Sequence, residues 1–536
     1  MKELEQSVFF GLAHSNNLET RQAIAKELES WKDLGVYVEE EDVGQQCIST
    51  RWVITEKYKE GARVVKARLV ARGFEERNLN DIRKDSPTCG KDSLRLLLVI
   101  VASKEWTINS LDIKSAFLQG KDIGRDLLIL PPVEANTNRL WRLRKTVYGL
   151  TDASRTWYLK VREELLKTGV EVSMYDEAVF FWHDGGNLGG MLCCHVDDFF
   201  WGGNENFVKK VIKPLKEKFS ISSEESISFK YLGLQFEQEE DSIVVHQQNY
   251  IDSMETICNS ILGKGEERLS DSEKRQLRGA AGQLNWISLQ TRPDIAYNSC
   301  IAAVSLRDAN VRDVHVVNKS IKKIKSDTVA LKFNNIGSLE HAKIITYCDA
   351  SFRNLKDENS QGGFIVFLLG ENEKYSPIMW QSKKIKRVVK STLGAECLAL
   401  DVAADSSFYL RTLMCEILKI DNKDALPIII NTDNNNLYES VYSTGTIEDK
   451  RLKLDVCCIR HKLANKEITK VNWISKDFQL ADCFTKKEAS RSLLHRVLQG
   501  EIPLCTQKTR LNMYIVFTKR MKNKVVQGCY VPLAHA

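Results

Sequence analysis

The run MLCCHVDDFFW, residues 191–201, constrains this chain more tightly than any other segment. An apolar stretch of that length reads as buried strand. Two adjacent carboxylates, Asp197 and Asp198, interrupt it, so the segment must turn there and return as a second strand. Two ionised carboxylates at such a tip repel one another and lose hydration, a cost relieved when a cation neutralises them. Hard oxygen ligands of this kind select magnesium or manganese over softer metals. Asp112 stands in the same way at the end of the apolar strand in LDIKSAF. Three carboxylates on neighbouring strands make a site for two metals, an arrangement suited to in-line attack on phosphorus. Phe117 follows five residues after Asp112. A ring there either closes against the sugar of an incoming nucleotide, excluding a 2′-hydroxyl, or simply packs at a strand-to-helix turn.

The remaining composition sets bounds. A chain of 536 residues, 43% hydrophobic and 28% charged, has the make-up of a globular protein of two or three domains. The net charge of +6 is matched by six cations in the last 36 residues, Lys508, Arg510, Lys519, Arg520, Lys522 and Lys524, with no acid after Glu501. An argument for nucleic-acid binding therefore rests on local clusters. The 14 cysteines show no CxxC spacing and read as reduced core residues, including the adjacent pairs Cys193-Cys194 and Cys457-Cys458. The longest strongly apolar run, Leu96–Ala102, is too short for a membrane span, and the N-terminus resembles no signal peptide. The expectation is an intracellular protein, cytoplasmic or nuclear, with no membrane partner.

Along the chain, Arg51–Lys57 and Val64–Ala71 read as a hairpin turning at 59–62, with Lys66 and Arg68 on one face and Val65, Ala67 and Leu69 on the other. Two cations on one strand face suit phosphates, or are merely solvated. Helices are expected over 92–104, 153–166 and 206–219, and a single strand over 229–236. Residues 246–325 read as helical throughout, with Gly279, Ala280, Ala281 and Gly282 permitting close helix contact. Near residue 341, after the turn signal Asn334-Asn335-Ile336-Gly337, strands begin to alternate with helices, a mixed α/β pattern.

That C-terminal region carries a second acidic set. Asp349 ends the strand 344–347, Glu396 lies early in a long helix that starts near Ser391, Asp433 follows the strand 428–430, and Asp482 opens another helix. Four acids on separate elements can converge, again implying two divalent cations, here with a water as nucleophile. Singly, each is more often a cap or turn residue. The basic run Lys383, Lys384, Lys386, Arg387 and Lys390 precedes the helix of Glu396 and either grips a backbone or is solvated.

Together these segments resemble a known family. RWV at 51–53, KARLVARGF at 66–74, LDIKSAFLQG at 111–120, YGL at 148–150, HVDD at 195–198 and YLG at 231–233 are similar to the reverse transcriptase of copia-type LTR retrotransposons. TRPDIAY at 291–297 resembles the segment that follows it. YCDAS at 347–351, WQSKK at 380–384, STLGAE at 391–396, TDNNN at 432–436 and LADCFTK at 480–486 resemble the fused RNase H. The resemblance implies an α+β right-hand polymerase of fingers, palm and thumb, followed by an α/β RNase H-like domain. In those terms residues 1–45 are a lead-in, 46–245 fingers and palm, 246–340 a helical thumb or connection, 341–495 the RNase H-like domain, and 496–536 a basic tail. It implies that Asp112, Asp197 and Asp198 hold the polymerase metals, Mg2+ or Mn2+, and that Asp349, Glu396, Asp433 and Asp482 hold those of the nuclease. Phe117 would gate the sugar, Lys66 or Arg68 touch the triphosphate, and Tyr231 through Gly233 grip the primer. The implied partners are an RNA template, a DNA primer, an RNA–DNA hybrid and deoxynucleoside triphosphates, with no oligomeric state indicated.

Three departures stand out. His195 replaces the usual tyrosine of YVDD, and no histidine precedes Asp482 in WISKDFQLAD. The family's GLKQAPRAW reads GLTDASRTW, so Asp152 stands where a glutamine touches the nucleotide; an acid beside a triphosphate is unfavourable. No segment resembles an integrase, protease or nucleocapsid knuckle, which suggests a polyprotein piece or an orphan fragment. The expected activity is RNA- and DNA-directed DNA synthesis with RNase H. The alternative is a non-catalytic, host-retained remnant that binds nucleic acid.

Overall fold

A computed structural model describes residues 17–504 except 60–61, 78, 258–266, 356, 423, 446 and 488. Residues 1–16 of the lead-in, the tip of the first hairpin and the tail beyond 504 therefore lie outside the described residues. The chain forms two compact units, one of residues up to 90 with 109–225, the other of 91–108 with the chain from 226 onward. These do not follow the segments read from sequence one for one. The apolar helix Lys91–Ser103, buried at every position from Ser93 to Ala102, groups with the C-terminal unit because its burial is satisfied there.

In the first unit six strands form one sheet, in the order Ile221–Ser226, Asn109–Ile113, Asp198–Gly203, Asn187–His195, Val179–Asp184 and Glu171–Val172. Helix Ala153–Leu166 buries Trp157, Tyr158, Val161 and Leu165. Those residues join a core with Phe180, Leu192, Phe199 and Phe207. The expected basic helix is present as a continuous helical stretch with a wide turn at Val208–Ile212, next to Pro214, which can donate no backbone hydrogen bond. The hairpin Thr50–Lys59 with Ala62–Ala71 is separate, and Ala67, Leu69 and Ala71 face inward as the alternation requires.

In the second unit, the single strand expected over 229–236 is a hairpin, Ser228–Tyr231 with Leu234–Gln238. Its two-residue turn has positive φ at both Leu232 (48°) and Gly233 (77°), the geometry that matches strand twist, and Phe229 stacks on Phe236 across it. The hairpin extends through Ser242–His246 to Leu331–Asn334, a strand that comes after the helices expected over 246–325. Helices Asp271–Gln290, Ala296–Ser305 and Val311–Ser326 share one apolar core. Ala280 and Ala281 are buried in it, but a Cβ on Gly279 or Gly282 would meet open space, so those glycines serve no close helix contact.

The C-terminal sheet runs Tyr375–Lys384, Gln361–Leu369, Lys343–Ser351, Ile428–Thr432 and Lys470–Trp473. The first three strands pair antiparallel and the last two join in parallel. Helix Thr392–Leu418, capped by the Ser391 side chain on the Gly394 N–H, lies against its central strands. Cys193 and Cys194 are buried as expected, whereas Cys457 and Cys458 are exposed. Their helix, Lys450–Ala464, turns Val456 and Ile459 inward instead.

Candidate catalytic centres

In the first unit Asp198 stands directly opposite Asp112 in the antiparallel pairing of their strands, and Asp197 occupies the turn that precedes Asp198. The Ile113 N–H donates to the Asp197 carbonyl at 3.0 Å, tying the turn to the neighbouring strand. Val196 reaches φ +60°, an unusual conformation for a β-branched residue. Its carbonyl accepts from the Trp157 indole N–H at 2.7 Å. Nothing in the local sequence around Trp157 reveals that its N–H meets a turn 39 residues away.

Burial, reinforced by Asp197 and Asp112, pushes the Asp198 carboxyl up to about 7. Asp197 is also raised, by burial and by Asp112, against the pull of Arg68 and Lys66. The cations on the hairpin thus act on the carboxylates, and the Arg68 Nε is buried without a hydrogen-bond partner. Arg68 lies 5.5 Å from the centre of the Tyr148 ring, and Phe117 tilts against the same ring at 5.0 Å. Phe117 sits on a single turn, Ala116–Gln119, entered through Ser115 at φ +49°. Buried carboxylates that raise one another fit a divalent cation.

Asp152 is not exposed to the space it was expected to disfavour. Arg125 donates to both of its oxygens, at 2.6 and 3.0 Å, and to both oxygens of Glu76. The acid is neutralised where it stands. Tyr231 is 4% exposed, edge-on to Phe236, and Gly233 forms the adjoining turn, so the YLG segment is folded into its own hairpin.

In the second unit the structure gathers Asp349, Asp433 and Asp482, each with a carboxylate oxygen within 4.8 Å of the others. Among the described residues this is the one group of three or more His, Cys, Asp or Glu side chains drawn so close. Asp349 lies inside the strand Lys343–Ser351, which runs two residues past it; Asp433 directly follows Ile428–Thr432; Asp482 opens a short helix. Gln479 Nε2 donates to Asp433 Oδ1 at 3.1 Å, and the Thr485 hydroxyl donates to Asp349. Glu396 is 4% exposed, and its Oε2 has no hydrogen-bond partner. Burial, then Asp349 and Asp433, drives its carboxyl up to about 9; burial raises Asp349 to about 7. An orphaned buried oxygen beside three gathered carboxylates fits a divalent cation. Lys486 was not singled out from sequence, yet its Nζ lies 2.5 Å from Asp482 Oδ1 and 3.4 Å from Asp349 Oδ1. Of the basic run, Lys384, Arg387 and Lys390 are paired with Asp357, Asp455 and Asp449.

The fold is that of a polymerase followed by an RNase H-like domain. Residues 37–260 match the family "Reverse transcriptase (RNA-dependent DNA polymerase)". Retrotransposon Pol polyproteins of the copia type are homologues of the chain. It is 28% identical over 464 residues to the retrovirus-related Pol polyprotein from transposon RE1 of Arabidopsis thaliana, covering 82% of this chain and 30% of that protein. The Pol polyprotein from transposon TNT 1-94 of Nicotiana tabacum is 25% identical over 516 residues, covering 89% and 37%. The chain thus spans about a third of the length of these relatives. Among solved structures, the foamy viral protease-reverse transcriptase in complex with double-stranded DNA shares the fold at TM-score 0.50 and 14% identity, over 85% of this chain and 70% of that one. No helix among the described residues is long and apolar enough to cross a membrane.

Proposed function

We propose that this chain synthesises DNA on RNA and DNA templates and cleaves the RNA of the resulting hybrid, each reaction at its own carboxylate centre. The observation that carries the reading is the register of Asp198 against Asp112 at the end of a turn held by Trp157. Burial and the neighbouring acids raise the Asp198 carboxyl at that position. Asp112, Asp197 and Asp198 would hold Mg2+ or Mn2+ in the palm, and Asp349, Glu396, Asp433 and Asp482 would do so in the RNase H-like domain. Bound there, the metals would neutralise the charge developing on the phosphoryl group and lower the pKa of the attacking hydroxyl or water. Lys66 and Arg68 would meet the triphosphate, the unpartnered Arg68 Nε being a donor left for it. Phe117, braced on Tyr148, would stand against the sugar and select deoxynucleotides. Tyr231 and Gly233 would shape the hairpin that meets the primer through its backbone, since the tyrosine ring is buried.

Extension of an oligo(dT) primer on poly(rA) by the purified chain, with Mg2+ or Mn2+, tests this beside Asp197→Asn. Extension lost in the variant is the expected result. A folded chain that binds primer–template but extends nothing would point to the non-catalytic remnant.

A further inference from the structure

The RNase H-like centre holds a positive charge of its own. Lys486 lies one helical turn after Asp482, so its ammonium folds back onto that carboxylate at 2.5 Å and reaches Asp349 at 3.4 Å. It therefore stands at the mouth of the group formed by Asp349, Asp433 and Asp482. Deeper in, Glu396 keeps an oxygen without a partner, so one ammonium does not satisfy the acids around it. The Lys486 side chain is 39% exposed, and solvent lies within its reach.

We propose that Lys486 is the resident counter-cation of this centre, and that a divalent cation binds by displacing its ammonium from Asp482 and Asp349. Two cations cannot share those oxygens at contact distance, since their repulsion is large where water is scarce. Lys486 thus weakens metal binding while offsetting part of the repulsion among the carboxylates of the metal-free domain. This inference rests on the reading of the four acids as a metal centre.

The test is calorimetric titration of the full-length chain with Mn2+, in an Asp197→Asn, Asp198→Asn background that silences the palm. Lys486→Gln is expected to tighten binding on the order of tenfold, the loss of one contact-range repulsion. Lys486→Arg, which keeps the charge, is expected to hold the affinity near that of the unsubstituted residue. Binding that is unchanged or weaker in Lys486→Gln overturns the proposal. So does equal tightening in both variants, which would mean the lysine acts by bulk and not by charge. Absence of Mn2+ binding in every variant would instead overturn the metal-centre reading itself, and the inference with it. Because the side chain is partly exposed, the glutamine variant is expected to fold, as far-UV circular dichroism would show. If it does not, the arginine variant decides alone: tightened binding there is fatal to the proposal.

Discussion

Val196 sits at φ +60° between His195 and Asp197, a conformation that costs on the order of 1–3 kcal/mol for a β-branched side chain. The strain persists because Trp157 donates to the Val196 carbonyl and the flanking strands pair on both sides. Trp157→Phe keeps the ring but loses that donor. It is expected to slow primer extension about tenfold, the usual cost of a support behind metal ligands, while the template–primer Kd stays unchanged. Single-turnover extension beside fluorescence anisotropy separates the two effects. In the proposed reaction Asp198→Asn would remove charge at the metals, so extension should fall about a hundredfold or more, the loss of several kcal/mol of transition-state stabilisation. Asp152 illustrates the limit of reading residues singly. Its sequence position suggested an obstructive charge, and only the fold brings Arg125 across to cancel it.

At the scale of elements, backbone contacts at glycines lock the hairpin that carries Lys66 and Arg68 to the YGL turn. The Ala71 N–H donates to the Tyr148 carbonyl at 2.8 Å. A Cβ on Gly149, at φ +92°, would lie 2.1 Å from the Ala71 carbonyl oxygen, and one on Gly73 would lie 2.4 Å from the Gly149 carbonyl oxygen. Gly149→Ala combines left-handed strain with a backbone clash and should cost about 2–4 kcal/mol. Urea unfolding of the variant gives the figure. If its midpoint matched that of the unsubstituted chain, the strand and turn would not be locked as described. The YLG hairpin teaches a related lesson. Its two strands looked like one because Tyr231, Leu232 and Leu234 are all apolar, and apolarity hides a two-residue turn whose sole marker is Gly233.

For the whole molecule, the two carboxylate centres lie in separate compact units, and in the proposed reading they would make stability depend on pH and on metal together. Glu396 titrates near 4.5 when exposed and near 9 in the folded, metal-free chain. A raised carboxyl holds its proton more tightly when folded, so its cost is absent below about pH 4.5, grows as pH rises and is complete above about pH 9. The metal-free melting temperature should therefore fall across that window. Glu396→Gln, with no proton to lose, should flatten the fall, and saturating Mn2+ should stabilise the unsubstituted chain more at pH 8 than at pH 5. Differential scanning fluorimetry in EDTA and in Mn2+ reads all three; a pH profile identical in Glu396→Gln would refute this account of the buried carboxyl. While the architecture followed from the family resemblance, sequence by itself located the candidate acids, because apolar runs must be buried and charges that interrupt them tend to lie at their ends. It placed Asp112 and Asp197-Asp198 at strand termini, and Asp349, Glu396, Asp433 and Asp482 on separate elements. Only the tertiary structure decided which charges meet. Trp157 reaches Val196 across 39 residues, Arg125 reaches both Glu76 and Asp152, and Lys486 reaches Asp349 across 137. Such pairings depend on the register of strands and the direction of side chains, which local sequence does not encode.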